Sequence, residues 1–414
     1  MGNQIYGLLG RSLKHSHSVF IHRELENGCY RLFELEPEEL GAFLRRGDIG
    51  GLNVTIPYKR DVIPFCDALD ETARAVGSVN TIVRGHDGKL VGYNTDVYGL
   101  ACMAERAGIS FAERKVVVFG SGGASLTTQY AAKQGGAKEV VVISRKGPNT
   151  YETLSRHADA DLLVNATPVG MYPNNGALPA DPADFPACKG VLELVYNPLR
   201  TALTLRAQSL GIPVSDGLIM LTAQAKAAEE LFWDQKLPES EIERIDLLLK
   251  KQTQNIVLIG MPGSGKSSVG VALGRLSGRE TVDFDREIEL AAGKPIPQIF
   301  SESGEEAFRE LERKITQKWG AEQGRILVTG GGVVKDERNY APLKQNGRIY
   351  QIERETALLR REGRPLSERA DLAAMLRDRQ PLYERFRDAA AQNTHSAEET
   401  ARFIWEEYGE NFSR

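Results

Sequence analysis

Gly260, Gly263, Ser264 and Gly265 lead into Lys266, Ser267 and Ser268 in the order Gly-x-x-x-x-Gly-Lys-Ser. Glycines without a Cβ let successive backbone N–H groups converge on phosphate oxygens, a lysine there reaches the outer phosphates, and a serine at a helix N-terminus can ligand Mg²⁺. Residues 263–268 are therefore the expected phosphate and Mg²⁺ contacts of a bound ATP. Downstream, Val282-Asp283-Phe284-Asp285 alternates, which predicts two carboxylates on one face at a strand end. One suits Mg²⁺ and the other an acceptor hydroxyl. Phosphoryl transfer asks little more of a protein than alignment and charge neutralisation, so this set suffices for it.

The front of the chain holds a second phosphate-binding pattern, Gly120-Ser-Gly122-Gly123-Ala124-Ser125, after the apolar run Lys115–Phe119. Such glycines permit a tight turn and close approach of a pyrophosphate to a helix N-terminus. The following apolar run, Glu139–Ile143, ends in Ser144-Arg145-Lys146, where an NAD site usually places a carboxylate. Two cations there suit a 2′-phosphate and favour NADP(H), the alternative being a solvated turn into Gly147-Pro148. Further upstream lie Asn53-Val-Thr55-Ile-Pro57-Tyr58-Lys59, Gly77-Ser-Val-Asn80-Thr81 and Asn94-Thr95-Asp96. Hydride reduction of a ketone leaves an alkoxide-like oxygen that needs a proton and positive charge nearby. Lys59 can supply both, with Asp96 holding it; spacing alone fits two unrelated surface charges equally well.

These groups need rigid elements behind them. Short apolar runs alternate with amphipathic stretches along most of the 414 residues, which predicts α/β architecture with largely parallel sheets and two or three domains. The strand Asn255–Ile259 should carry the Lys266 loop, with a helical run over 268–276 behind it. Ser303-Gly-Glu-Glu306 resembles a capping box opening a helix whose apolar face is Phe308, Leu311, Ile315 and Trp319. Arg325–Thr329 should be a strand delivering Gly330-Gly331-Gly332, which would let a substrate approach the backbone. The polar stretch 235–254 reads as a helical or flexible connector. A net charge of −4 with 26% charged residues leaves no basic excess for nucleic acid or an anionic membrane, so the expected partners are small molecules. Cys29, Cys66, Cys102 and Cys188 form no C-x-x-C pair, suggesting neither a disulfide framework nor a zinc site. No apolar run approaches 18 residues and no signal-peptide layout precedes the strand-like Gln4–Leu9, so the expected location is the cytoplasm. Oligomeric state is left open.

Taken together, Gly10 to His22 with His15-Ser16-His-Ser18, the three upstream motifs, Gly-Ser-Gly-Gly-Ala, Asn165-Ala-Thr167-Pro-Val-Gly-Met171 and Asp216-Gly217-Leu-Ile-Met220 with Gln224 resemble shikimate dehydrogenase over residues 4–234. That resemblance implies a two-domain α/β dehydrogenase. In it Ser16, Ser18, Thr55, Asn80 and Gln224 contact 3-dehydroshikimate, Tyr196 lies near the substrate, and Lys59 and Asp96 are the catalytic pair. Ser144, Arg145 and Lys146 would grip the NADP 2′-phosphate. Asn165, Thr167, Gly217 and Met220 would line the nicotinamide side. Ser12 and Val19 stand where the family has proline and Arg23 where it has asparagine. These departures loosen a loop without removing a hydroxyl, and leave as alternatives a ligand-sensing front part or quinate specificity.

The rear part resembles shikimate kinase from Asn255 to about Tyr408, through Asp-x-Asp, Phe308-Arg309 with Glu312, Gly-Gly-Gly, Arg364-Pro-Leu and Arg379-Gln-Pro-Leu-Tyr383. By that resemblance Arg309, Arg379, Gly331 and Gly332 hold shikimate, Asp285 polarises its 3-hydroxyl, and Asp283 acts with Ser267 on the Mg²⁺ side. Lys266 and the lid residue Arg364 would neutralise the transferring phosphoryl, with Arg360 beside the adenine. The lid segment 361–363 is short for that family. The expected layout is a substrate domain over 1–98 completed by a helix at about 218–235, an NADP domain over 99–217, a linker over 236–254 and a P-loop kinase domain over 255–414. The implied activity is reduction of 3-dehydroshikimate by NADPH followed by MgATP-dependent phosphorylation of shikimate.

Overall fold

The computed structural model describes residues 4–13, 16–355, 359 and 372–412. Two compact units emerge, one of Met1–Asn197 with Thr201–Asp246, the other of Pro198–Arg200 with Leu247–Arg414.

The first unit contains two sheets. Strands β1 (Ile5–Gly10), β2 (Tyr30–Glu34), β3 (Ile49–Val54), β4 (Ala68–Leu69), β5 (Thr81–Arg84) and β6 (Leu90–Tyr93) pair in the order β2-β1-β3-β5-β6-β4. Here β5 runs antiparallel to both neighbours, so this sheet is mixed. Strands β7 (Lys115–Phe119), β8 (Glu139–Ile143), β9 (Leu162–Asn165), β10 (Gly190–Glu193) and β11 (Val214–Ser215) form an all-parallel sheet in the order β11-β10-β9-β7-β8. Such a sheet is buried on both faces, and strand alternation divides β7 accordingly. Val116 and Val118 join one apolar cluster, Val117 and Phe119 another. Because β8 and β9 flank β7 on opposite sides, the crevice beyond its C-terminal end is a topological switch point, where ligands of open α/β sheets bind.

The connector is not a bare tether. Helix Ser240–Thr253 occupies most of it, with Ile242, Ile245 and Leu249 buried at helical spacing. Its approach docks within the first unit: the nearly buried Lys226 Nζ donates to Glu239 at 2.6 Å, and the Tyr98 hydroxyl donates to the same carboxylate at 2.6 Å.

In the second unit, strands β12 (Asn255–Ile259), β13 (Thr281–Asp283), β14 (Ile326–Val328), β15 (Gly347–Glu353) and β16 (Ala389–Gln392) form a parallel sheet ordered β13-β14-β12-β15-β16. Central β12 sends Val257 and Ile259 to one core and Ile256 and Leu258 to the other. The Gly260–Gly265 loop follows it into helix Lys266–Ser277. Among the described residues no helix is long and apolar enough to cross a membrane.

Candidate active sites

The first unit has a cleft of about 1590 Å³ between its two sheets. That exceeds the space one small metabolite fills and suits a dinucleotide plus a substrate. Lys59 follows β3 and Asp96 opens helix Asp96–Arg106; Lys59 Nζ donates to Asp96 Oδ2 at 2.6 Å. Close packing brings them together: a Cβ on Gly99 would stand 2.6 Å from Met220 O and 3.1 Å from the Gln224 Cβ, so only glycine lets this helix lie against Gly217–Trp233. Asn80 Oδ1 accepts from Thr95 N at 2.7 Å, and its Nδ2 donates to Thr95 Oγ1 at 3.0 Å and Gln224 Oε1 at 3.4 Å. Ser16 Oγ accepts from Ser18 N at 3.1 Å where helix Ser18–Glu24 begins. Ser16, Ser18, Thr55, Lys59, Asn80, Asp96, Tyr196 and Gln224 all line the same cleft.

The cofactor side is formed by Gly120, Gly122, Gly123, Ala124, Ser144, Arg145, Thr167, Gly217 and Met220. Gly120 is required twice over: its φ is +105°, and a Cβ would meet Ala166 O and Thr167 Cγ2 at 2.9 Å each. Among the described residues lining the cleft, Asp96 is the sole carboxylate, against the cations Lys59, Arg60 and Arg145. This donor set fits an anionic NADP with its 2′-phosphate toward Arg145. Two expected contacts lie elsewhere. Lys146 is exposed on the turn, outside the cleft lining, where its carbonyl accepts from Ser144 Oγ. Asn165 is fully buried beneath the cleft, because its amide is consumed by Glu193, Val169 O and Thr167.

Glu193, which no sequence motif singles out, lies beneath these groups. It is fully buried and accepts from Asn165 Nδ2, Val195 N and Thr201 Oγ1. Burial pushes its carboxyl up to about 7, against the pull of these donors.

In the second unit, Gly260, Gly263 and Gly265 have φ of 143°, 82° and 95°, which only glycine adopts freely. Lys266 Nζ donates across the loop to Gly260 O at 2.9 Å and Met261 O at 3.0 Å. Asn393 fixes the loop from below, its Nδ2 donating to Ser264 O at 2.7 Å; no sequence motif marks this residue, which follows β16 as an ordinary loop asparagine. Ser267 and Ser268 are exposed at the helix start, and Ser267 Oγ donates to Asp283 Oδ2 at 2.9 Å. A hydroxyl beside a carboxylate oxygen is a hard donor pair that fits Mg²⁺.

Asp285 is not on the strand beside Asp283. Strand β13 stops at Asp283, whose side chain accepts from Asp285 N and Arg286 N and so caps helix Phe284–Ala292. Asp285 thereby sits in the first helical turn, where a Cβ on Gly330 would lie 3.0 Å from its Oδ1. The helix bearing Arg309 breaks at Gly304, φ 80°, one residue past the expected capping serine. Arg309 Nη1 donates to the buried Glu312 Oε2 at 2.6 Å, and Lys335 and Arg309 share Glu305. Burial raises the Glu312 carboxyl, opposed by the Arg309 cation. Arg379 Nη1 and the Tyr383 hydroxyl both donate to Gly331 O, at 2.9 and 2.6 Å. Asp285, Arg309, Gly331, Gly332 and Arg379 thus form one cluster. The site's own side chains crowd the three glycines: a Cβ at 331 would strike the Pro262 ring at 2.6 Å, one at 332 would displace the Arg309 tip, and one at 330 would press on Asp285 and Glu312. Arg360 and Arg364 lie outside the described residues.

Comparison with known proteins accords with both geometries. The family model for the shikimate dehydrogenase substrate binding domain matches residues 8–82, and that for shikimate kinase matches residues 262–408. A protein of Caldicellulosiruptor bescii named shikimate dehydrogenase (NADP(+)) is 36% identical over 259 residues, 55% of this chain and 88% of that one. Among solved structures, a chorismate mutase/shikimate 5-dehydrogenase fusion protein from Clostridium acetobutylicum aligns with TM-score 0.58 and 33% identity, over 61% of this chain and 98% of that one. Shikimate 5-dehydrogenase from Thermus thermophilus, in complex with NADP(H) and shikimate, aligns with TM-score 0.53 and 29% identity over 59% and 98%. The chain belongs to the shikimate dehydrogenase family and carries a shikimate kinase domain behind it.

Proposed function

We propose that this chain is a bifunctional enzyme of aromatic amino acid biosynthesis, reducing 3-dehydroshikimate to shikimate with NADPH and then phosphorylating shikimate with MgATP to shikimate 3-phosphate. The observation that carries the reading is the Lys59–Asp96 pair at 2.6 Å, in a cleft where Asp96 is the sole carboxylate among the described lining residues. NADPH supplies the hydride when bound. Lys59 gives its ammonium proton to the carbonyl oxygen as negative charge develops there, and regains one from solvent afterwards; Asp96 keeps the ammonium aimed. Ser16, Ser18, Thr55, Asn80, Tyr196 and Gln224 orient the ring. The residues named at the cofactor side, with Arg145 at the 2′-phosphate, hold the dinucleotide.

In the rear domain Arg309 and Arg379 take the shikimate carboxylate, with Gly331 and Gly332 close beneath the ring. Asp285 accepts the hydrogen bond of the attacking 3-hydroxyl. Ser267 and Asp283 hold Mg²⁺, which neutralises phosphate charge when bound, and Lys266 with the family's lid residue Arg364 stabilises the transferring group. We assign the substrate domain to residues 1–98 with the helix at about 218–235, the NADP domain to 99–217, the linker to 236–254 and the kinase to 255–414. A cytoplasmic setting, where NADPH and ATP are both at hand, suits this reading. The two activities are tested separately: absorbance loss at the NADPH band with 3-dehydroshikimate, and shikimate-dependent ADP release. Turnover of quinate with NAD but not of 3-dehydroshikimate with NADPH, or no shikimate-dependent ADP, would sink the corresponding half.

A further inference from the structure

Beneath the cleft, the end of β10 is cross-linked to the end of β9 by side chains rather than backbone. Glu193 stands opposite Asn165 in the parallel register. Asn165 Nδ2 donates to Glu193 Oε1 at 2.9 Å and Oε2 at 3.0 Å, Val195 N donates to Oε1 at 3.0 Å, and Thr201 Oγ1 donates to Oε2 at 2.8 Å. A carboxylate is costly to bury, and survives burial only when donors satisfy it as these do. An apolar residue would fill the space at less cost, so the carboxylate's value lies in what it orients.

What it orients can be read from the amide. Asparagine's O and N are set by their partners; the ionised Glu193 carboxylate, the form present above about 7, only accepts and so takes the N–H₂ end, as does Val169 O at 3.0 Å. With Nδ2 turned to Glu193, Asn165 Oδ1 necessarily faces the other way, where it accepts from Thr167 N at 3.1 Å and Thr167 Oγ1 at 2.6 Å. Thr167 lines the cleft on the cofactor side. The Val195 N–H that the same carboxylate holds belongs to the residue just before Tyr196, which lines the cleft too.

We propose that Glu193 is a positioning residue for hydride transfer, setting Thr167 through the orientation of Asn165 and Tyr196 through the Val195 amide, so that one buried carboxylate fixes two walls of the cleft. The proposal rests on the dehydrogenase reading given above. Glutamine is the telling replacement: it keeps the shape but presents an N–H₂ that cannot accept, so Asn165 Nδ2 loses one of its two holders and keeps only Val169 O, which loosens the amide that sets Thr167.

The full-length chain carrying Glu193→Gln is compared with wild type at about pH 8.5, where the Glu193 carboxyl is ionised. The expected result is an about tenfold fall in kcat for 3-dehydroshikimate reduction, with the Kd for adenosine 2′,5′-bisphosphate, a probe of the 2′-phosphate end alone, and the kinase rate each within twofold. In a Thr167→Ala background the same change is expected to cost about threefold or less, because its main route is already removed. Turnover of Glu193→Gln within twofold of wild type overturns the proposal. So does loss of bisphosphate binding in step with turnover, or the full tenfold persisting without the Thr167 hydroxyl. Should Glu193→Gln not accumulate as folded protein, Thr201→Val, which removes one donor and keeps the carboxylate, is expected to lower kcat about threefold with the same unchanged controls; no effect there also overturns it. An inactive wild type sinks the dehydrogenase reading itself, whereas an active wild type with an unaffected Glu193→Gln sinks only this wiring.

Discussion

Replacing Gly332 by alanine tests the kinase cluster with one methyl group. Gly332 has φ −108° and ψ 3°, a conformation alanine adopts, so backbone strain plays no part. The new Cβ would lie 2.6 Å from Arg309 Nη2 and 2.7 Å from Nη1, where ordinary contact begins at 3.4 Å, so the guanidinium must withdraw by about 0.8 Å. A side-chain tip yields readily, and we expect the melting temperature to move little. The tip is nonetheless held, with Nη1 on Glu312 at 2.6 Å and Nη2 on Glu305 at 3.1 Å, so it cannot withdraw and keep its aim at once. Loss of one charge-assisted hydrogen bond to the shikimate carboxylate is worth roughly 1.5–3 kcal/mol, a rise in KM of about 10- to 150-fold. A misplacement near 1 Å can also cost about a hundredfold in rate. Initial-rate kinetics over a wide shikimate range, with NADPH-dependent reduction as the internal control, would measure this. A KM for shikimate within twofold of wild type in a folded Gly332→Ala chain would refute both the contact and the role given to Arg309.

Other expectations follow from the same geometry. Lys59→Ala should lower kcat for 3-dehydroshikimate reduction by about 10²- to 10⁴-fold, the usual worth of a positioned proton donor, and leave shikimate phosphorylation intact; a dehydrogenase rate unchanged by this substitution would favour a front part that only binds. Ser267→Ala removes one of the two oxygens proposed to hold Mg²⁺ while Asp283 remains, so half-maximal kinase activity should require about tenfold more Mg²⁺; an unchanged Mg²⁺ titration would count against the pair. The Glu193 carboxyl titrates near 7 in the folded chain and near 4.5 when unfolded, so between those values the folded state keeps a proton that the unfolded state has released. Its contribution to stability therefore declines as pH rises through that window, by on the order of 3 kcal/mol, and is level above it. Urea unfolding of wild type and Glu193→Gln at pH 4.5 to 7.5 should show their difference shrinking accordingly; a pH-independent difference would contradict it.

The two glycine loops were legible because their chemistry dictates both residue type and spacing, and the strands and helices around them fell where apolar periodicity put them. The mixed pairing of β5 was not, since a four-residue run carries no mark of its direction. Asp285 was misplaced for a local reason: alternation over Val282 to Asp285 reads as strand, yet an aspartate at 283 also caps a helix, and two backbone N–H groups outweighed one further strand residue. Asn165 and Lys146 were expected in the cleft because their motifs reach it; what turned Asn165 inward was Glu193, 28 residues away in sequence and opposite in register. The signal for Glu193 was faint but present, a lone acid inside the apolar run 190–195. The Gly330–Gly332 run was legible as a place of close approach, but only the packing shows that the approach is made by Asp285, Pro262 and Arg309.

The central claim is that one chain makes shikimate and then phosphorylates it. The most direct test incubates the purified chain with 3-dehydroshikimate, NADPH, ATP and Mg²⁺ and follows the products by mass against time. The account predicts transient shikimate followed by shikimate 3-phosphate, with NADPH and ATP consumed one for one. Shikimate that accumulates without phosphate, or 3-dehydroshikimate that stays unreduced while added shikimate is phosphorylated, would contradict it.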